Sequence, residues 1–204
     1  MSAAATPAPS DRSDFRTVTT GGAKLGVATA IAVVLFIAAA RRLPPGAVRA
    51  AVEALIVLAT AVAAAFLPAR WTVARGIEGI AGAAATGLVG GVVFSVIDVA
   101  LLRPLHAYPW TWDAIGGGSS WWYLPVWWML GTFLAWMGGI VTARRAAAGA
   151  ATLAGVAVPT VAGALGLVAA ARVAVPAVAL PVATGGGFTV ALTALAVLAL
   201  ARRG

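Results

Sequence analysis

The chain has 204 residues, of which 62% are hydrophobic and only 10% are charged, and its formal net charge is +8. A water-soluble domain of this length needs far more charge to cover its surface, so the composition excludes a soluble globular protein and indicates a chain that lies mostly in lipid. The basic residues stand at the ends of apolar runs, mostly in pairs, which is the pattern of membrane-protein flanks and not of a nucleic-acid-binding surface.

The apolar runs are long and unbroken, and they lack the alternation of polar and apolar residues that barrel strands require. Because backbone in lipid must be hydrogen-bonded internally, the sequence predicts an all-α, polytopic transmembrane bundle. A flexible polar tail is expected over residues 1–20, followed by one transmembrane domain over 21–204. Six runs are long enough to cross a hydrocarbon core of about 30 Å, namely 25–40, 50–67, 77–102, 121–142, 146–171 and 175–200.

The first run lies between Lys24 and the pair Arg41-Arg42. Its basic lead, short apolar stretch and closing alanines also fit a secretory signal peptide. The two arginines directly after the alanines argue against cleavage, so we interpret the run as a retained span.

Small residues recur every four positions along the third run. This spacing predicts a helix-packing seam, because it lets two backbones approach closely. The alternative is that a chain rich in alanine and glycine produces such a stripe by chance. The stripe comprises Gly79, Ala83, Gly87, Gly91 and Ser95.

The sixth run contains Pro176, Pro181 and the glycines 185–187. Both residue types weaken a continuous helix, so we expect a bent span. Transporters use broken helices of this kind to expose backbone to a substrate, but a simple kink is the commoner outcome.

Seven of the eight tryptophans lie in and after the connection between the third and fourth spans, where a tryptophan-rich extramembrane hairpin is predicted. Aromatic side chains at this position are typical of an interfacial belt. The three deepest, Trp127, Trp128 and Trp136, predict either a partner surface, which we favour, or a groove for a flat apolar ligand such as a quinone, carotenoid or porphyrin. The whole aromatic set is Trp110, Trp112, Trp121, Trp122, Tyr123, Trp127, Trp128 and Trp136.

Two acidic residues lie inside predicted spans at the same membrane face, each roughly 6–8 Å deep by helical rise. Acidic groups in the membrane indicate a functional site by default, with a partner to be identified. The simpler interpretation, which we favour, is a pair of shallow salt bridges that anchor helix ends. The candidate polar cluster comprises Glu53, Asp98, Arg49, Arg103, His106 and Asp113.

Several chemistries are excluded by residue counts. A single histidine and no cysteine rule out bis-histidine haem, multi-histidine metal sites and thiolate ligation within this chain. We expect no intrinsic cofactor and no metal. A lipid, quinone, carotenoid or other pigment bound at an interface is the remaining cofactor hypothesis.

Six spans place both termini at one membrane face, and the charges differ between the faces. Basic residues at the terminal end number nine and those at the other end number five, so the positive-inside rule predicts cytoplasmic termini in a bacterial-type inner membrane. The nine are Arg12, Arg16, Lys24, Arg70, Arg75, Arg144, Arg145, Arg202 and Arg203, and the five are Arg41, Arg42, Arg49, Arg103 and Arg172.

The leading functional hypothesis is a non-catalytic accessory or structural subunit within a larger membrane complex. Its expected partners are the lipid bilayer and other membrane subunits. Two alternatives stay open: a small transporter of a small or lipidic substrate, and a membrane enzyme that acts on an isoprenoid or lipid.

Overall fold

The computed structural model describes residues 11–105, 123–149 and 152–201. Across these ranges all regular structure is helical, and six helices are long and apolar enough to cross a membrane. The predicted all-α, six-span membrane bundle is therefore confirmed. The helices are α1 (Phe15–Arg42), α2 (Ala47–Trp71), α3 (Ile77–Ile97), α4 (Tyr123–Ala147), α5 (Leu153–Ala174) and α6 (Leu180–Ala201), with a π-helical turn (Asp98–Leu102) continuing α3.

Short connections join four of the successive helix pairs, which makes those neighbours antiparallel. They are residues 43–46, 72–76, 148–152 and 175–179. We call the end of the bundle that holds the start of α1 and the end of α6 the terminal face. The opposite end, which holds the 43–46 turn and the end of α3, is the distal face.

Helix α3 lies between α1 and α4 and makes its most extensive contacts with them. The contact with α1 is parallel, since Gly22 and Gly26 of α1 lie against Val89 and Val93. On another side, Gly87 lies directly against the backbone of Gly131 in antiparallel α4. Glycine makes both approaches possible, because a side chain at these positions would separate the helices.

The main core forms where α2, α4, α5 and α6 meet. Phe66 and Phe188 have no exposed surface and fill its centre together with Leu192. Gly138 of α4 lies against the carbonyl of Ala65 in α2, a contact too close for any larger residue. The interior of this half is therefore filled by side chains and by direct backbone contact.

Helix α1 begins earlier than the sequence led us to expect. A flexible tail was predicted through residue 20, whereas the helix starts at Phe15 with Asp14 as its N-cap. The Asp14 carboxylate accepts hydrogen bonds from the amide and the hydroxyl of Thr17, at 2.9 and 2.6 Å. These bonds lower the pKa of Asp14 below its ordinary value. Residues 15–20 therefore belong to α1, while residues 1–10 lie outside the described ranges.

Helix α2 continues beyond Pro68, where the apolar run was expected to end. It reaches Trp71 because Pro68 removes only one backbone donor and the next turn is still hydrogen-bonded. The helix then closes with two C-terminal bonds, from Val73 to the carbonyl of Arg70 and from Ala74 to that of Ala69. Val73 occupies the left-handed position of this motif, with φ of 50°.

The sixth span forms one continuous helix, and both prolines lie before it or in its first turn. Pro176 lies before α6, in a turn whose carbonyls at Pro176 and Val178 accept hydrogen bonds from Arg172. Pro181 is the second residue of α6, where a backbone N–H would have no intrahelical acceptor, so the missing donor costs no hydrogen bond. The glycines 185–187 are inside one continuous helix, so both special residue types are accommodated without a break.

Candidate functional site

The carboxylate of Asp98 is buried at the distal end of α3, and the residue is only 1% exposed. Its surroundings are largely apolar, since Phe94, Leu102 and Ala30 form a buried cluster there. A carboxylate in such a place requires charged or hydrogen-bonding partners. Arg103 is one of them, with its Nε 3.1 Å from Oδ2 of Asp98.

The helix geometry changes at this residue. From Asp98 to Leu102 the backbone forms a π-turn, and the amide of Arg103 donates to the carbonyl of Asp98 at 3.0 Å. π-Turns are rare and are often found at functional positions. The ion pair and the backbone bond join the same two residues.

The second intramembrane acid forms an ordinary helical ion pair. Nε of Arg49 lies 2.8 Å from Oε1 of Glu53, four residues along α2. Both pairs lie toward the distal face, but each is formed within its own helix. Of the predicted polar cluster, His106 and Asp113 lie outside the described residues.

Two of the deep tryptophans pack against α3. The ring of Trp127 meets that of Phe94 edge to face, with centroids 5.3 Å apart. The indole of Trp128 donates to the hydroxyl of Ser95 at 3.1 Å. Both side chains therefore help to join α3 to α4 close to the buried Asp98.

Trp136 lies elsewhere, because it follows Trp127 by nine positions, which places it on the opposite side of α4. It is 48% exposed on the outer surface, so Trp127, Trp128 and Trp136 do not line one groove. Tyr123 is the first residue of α4, and its side chain is not described. The remaining members of the aromatic set, Trp110, Trp112, Trp121 and Trp122, lie outside the described residues.

The predicted small-residue stripe is divided between two environments. Its distal part faces α4: Gly87 meets Gly131, Gly91 lies against the backbone of Trp128, and Ser95 receives the indole hydrogen bond. Ala83 is fully buried between Gly139 of α4 and the small cluster with Ala69 and Ala74 at the end of α2. Gly79 lies next to Ala74 and to the carboxylate of Asp11, outside the helix-helix contact.

Asp11 is a site residue that sequence analysis missed. Its carboxylate accepts hydrogen bonds from the backbone amides of Arg75, Gly76 and Gly79, at distances of 2.8–3.2 Å. These are the amides at the start of α3, which carries no side-chain cap of its own. The neighbouring amide of Arg12 donates to the carbonyl of Thr72 at 2.7 Å. A segment far away in sequence therefore caps α3.

The pKa of Asp11 is lowered from its ordinary value. Burial alone raises it, but the amide hydrogen bonds from Gly79, Arg75 and Gly76, together with the charge of Arg75, outweigh that effect. The carboxylate is thus held in its charged form. The only sequence signal was an aspartate before the first apolar run, and nothing there indicated its distant partner.

Two shallow grooves run along the outer side of α1. Their volumes are about 230 and 450 Å³, and both open to the surroundings of the bundle. Each is lined by one stretch of α1, Val34 to Arg42 in the first and Ala23 to Ile31 in the second.

Comparison with known proteins finds no matching family model, no matching curated protein and no matching solved structure.

Proposed function

We propose that the protein is a non-catalytic accessory or structural subunit that packs within a larger membrane complex. The observation that carries this proposal is the closely packed interior of the bundle. Helices touch through backbone at Gly87 and Gly138, and aromatic side chains fill the core at Phe66 and Phe188. A bundle packed in this way presents a fixed surface, which is what an assembly subunit needs.

The charged groups support the same function. Glu53 and Asp98 are each joined to an arginine of their own helix close to the distal face. This arrangement anchors helix ends and differs from a carboxylate exposed to a substrate path near the middle of the membrane. The continuous α6 also removes the broken helix that favoured a transporter.

The outer surface supplies the area for partners. Large apolar side chains are exposed along α1 and α5, among them Ile31, Leu35, Val158 and Leu165. In a membrane these residues contact lipid acyl chains or the helices of another subunit. We place the chain in the cell membrane with both termini in the cytoplasm, because the terminal end carries nine of the fourteen basic residues.

The proposal is tested by isolating the tagged chain from its own membranes in a mild detergent. Protein mass spectrometry then identifies co-purifying polypeptides, and organic extraction of the same sample identifies bound lipids, quinones or pigments. A second polypeptide in a constant ratio across two different detergents supports the subunit function. A lone monomer in both detergents contradicts it, and a bound substrate-like molecule without a partner favours the enzyme hypothesis.

A further inference from the structure

The ion pair between Asp98 and Arg103 spans five positions, which an α-helix does not allow. At about 100° per residue, positions i and i+5 of an α-helix point about 140° apart. The π-turn adds one residue to the turn and brings Arg103 back over Asp98, where the backbone bond and the ion pair both form.

An α-helical turn at this place would leave Asp98 without a basic neighbour on its own helix. The positions three and four residues away, which are the neighbours in an α-helix, carry no positive charge. They are Phe94, Ser95, Leu101 and Leu102. The π-turn is therefore the backbone geometry that brings a guanidinium of the same helix to this buried carboxylate.

Side-chain packing does not by itself distinguish the two geometries. In the π-turn, Leu102 is buried at 5% exposure, while Leu101 is 52% exposed. In an α-helical turn the chain would advance by one residue less, so Leu101 would take the buried position of Leu102, and Leu102 would rotate by about 100° into the half-buried position that Arg103 now holds. A leucine therefore occupies the buried position in both geometries, Leu102 in the π-turn and Leu101 in the α-helical turn. The apolar core keeps the same side-chain volume.

We infer that the Asp98–Arg103 ion pair stabilises the π-turn over an α-helical turn. It thereby sets the direction in which the chain leaves α3 at the distal face. This inference goes beyond the proposed subunit function. The connection that carries four of the eight tryptophans follows this turn, so the ion pair sets the rotation of the residues at which that connection starts. Neutralising the pair converts the turn to the α register.

The experiment uses two single-cysteine reporters, L101C and L102C, which are clean because the chain has no cysteine of its own. Each is placed in the full-length protein in membranes, and its rate of reaction with N-ethylmaleimide is measured. With the ion pair intact, L101C reacts faster than L102C, by about tenfold if rates follow the exposures of 52% and 5%.

The ratio of the L101C rate to the L102C rate is then measured in two further backgrounds. They are D98N and the double variant D98N/R103Q, which is neutral at both positions. The inference predicts that this ratio falls below one in both backgrounds, because L101C then takes the buried position of Leu102 and L102C takes the half-buried position of Arg103. E53Q is the matched control, because the Arg49–Glu53 pair spans four residues of a regular helix and its loss leaves the ratio unchanged.

A third reporter, A135C, monitors folding, since Ala135 is fully buried in α4. An unchanged ratio in the double variant with A135C still protected overturns the inference. If D98N alone exposes A135C, the double variant decides, because it removes the charge of Arg103 together with that of Asp98. Loss of protection in both, with E53Q protected, also overturns it, since the pair would then hold the fold and not the register.

Discussion

At the residue scale, two aspartates hold backbone in place by different means. Asp11 supplies the missing cap of α3 from outside that helix, through amides of Arg75, Gly76 and Gly79. Asp98 acts at the other end of α3, where its partner Arg103 is joined to it by both side chain and backbone. Both ends of the central helix thus depend on one carboxylate each.

Replacing Asp11 by alanine is expected to lower the free energy of unfolding by about 1–2 kcal/mol, the usual cost of losing an N-cap. The measurement is denaturant unfolding of the purified protein in micelles. Glu78→Gln is the matched control, because it removes a charge from the same turn at an exposed position with a smaller loss. Equal losses in the two variants would contradict the capping role.

The same contact predicts a pH dependence. Because the folded protein lowers the pKa of Asp11, its contribution to stability is present above the ordinary aspartate value and is lost as pH falls through the lowered pKa. The stability difference between the parent protein and D11N should therefore be constant near neutral pH and shrink below about pH 4. A difference that persists unchanged at low pH would show that the charge of Asp11 does not contribute.

At the element scale, hydropathy was enough to place six spans, because apolar length is a local property of the chain. The helix ends were harder, since caps and turns depend on distant groups. Phe15 starts α1 before the apolar run begins, and α2 runs past Pro68. The π-turn at Asp98 leaves no trace in composition, because it differs from an α-helix by one residue in one turn.

The site residues also differ in whether local sequence spacing could predict their contacts. The spacing of Arg49 and Glu53 on one helix could be read directly, and the structure places the two groups 2.8 Å apart. The role of Asp11 depends on a contact across more than 60 positions, which no local pattern encodes. Gly138, which the predicted stripe on α3 did not include, lies directly against the backbone of Ala65 in α2.

Gly138→Ala is expected to destabilise the bundle by about 1–3 kcal/mol, because the added methyl group would strike the carbonyl of Ala65. The control is Gly186→Ala on α6, where nothing lies within 4 Å of the added group. That variant should be neutral or slightly more stable, since alanine favours helix more than glycine does. Thermal unfolding of both in the same detergent tests the claim, and equal stability would contradict close packing of α2 on α4.

At the scale of the whole molecule, six spans place the 43–46 turn and residue 13 on opposite sides of the membrane. The chain lacks cysteine, so single substitutions at exposed positions report topology without background. Pro45→Cys should react with an impermeant maleimide added to intact cells, and Ser13→Cys only after permeabilisation. Ala148→Cys, also exposed on the terminal face, should behave like Ser13→Cys. Labelling of Ser13→Cys from outside would reverse the proposed orientation.

The distribution of packed and charged groups across the described part of the bundle supports the proposed function. Its interior is occupied by side chains and backbone contacts, and its charged pairs and packed tryptophans gather toward the distal face. The surfaces left over are the outer sides of the helices. Under the proposed subunit function, these outer surfaces bind the partner subunits.

The most direct test is the native mass of the tagged chain extracted from its own membranes in polymer nanodiscs, without detergent. The chain alone accounts for 20.3 kDa. We expect a discrete heavier species in which this chain and a different polypeptide occur at fixed stoichiometry. A species that contains only copies of this chain and lipid would contradict it.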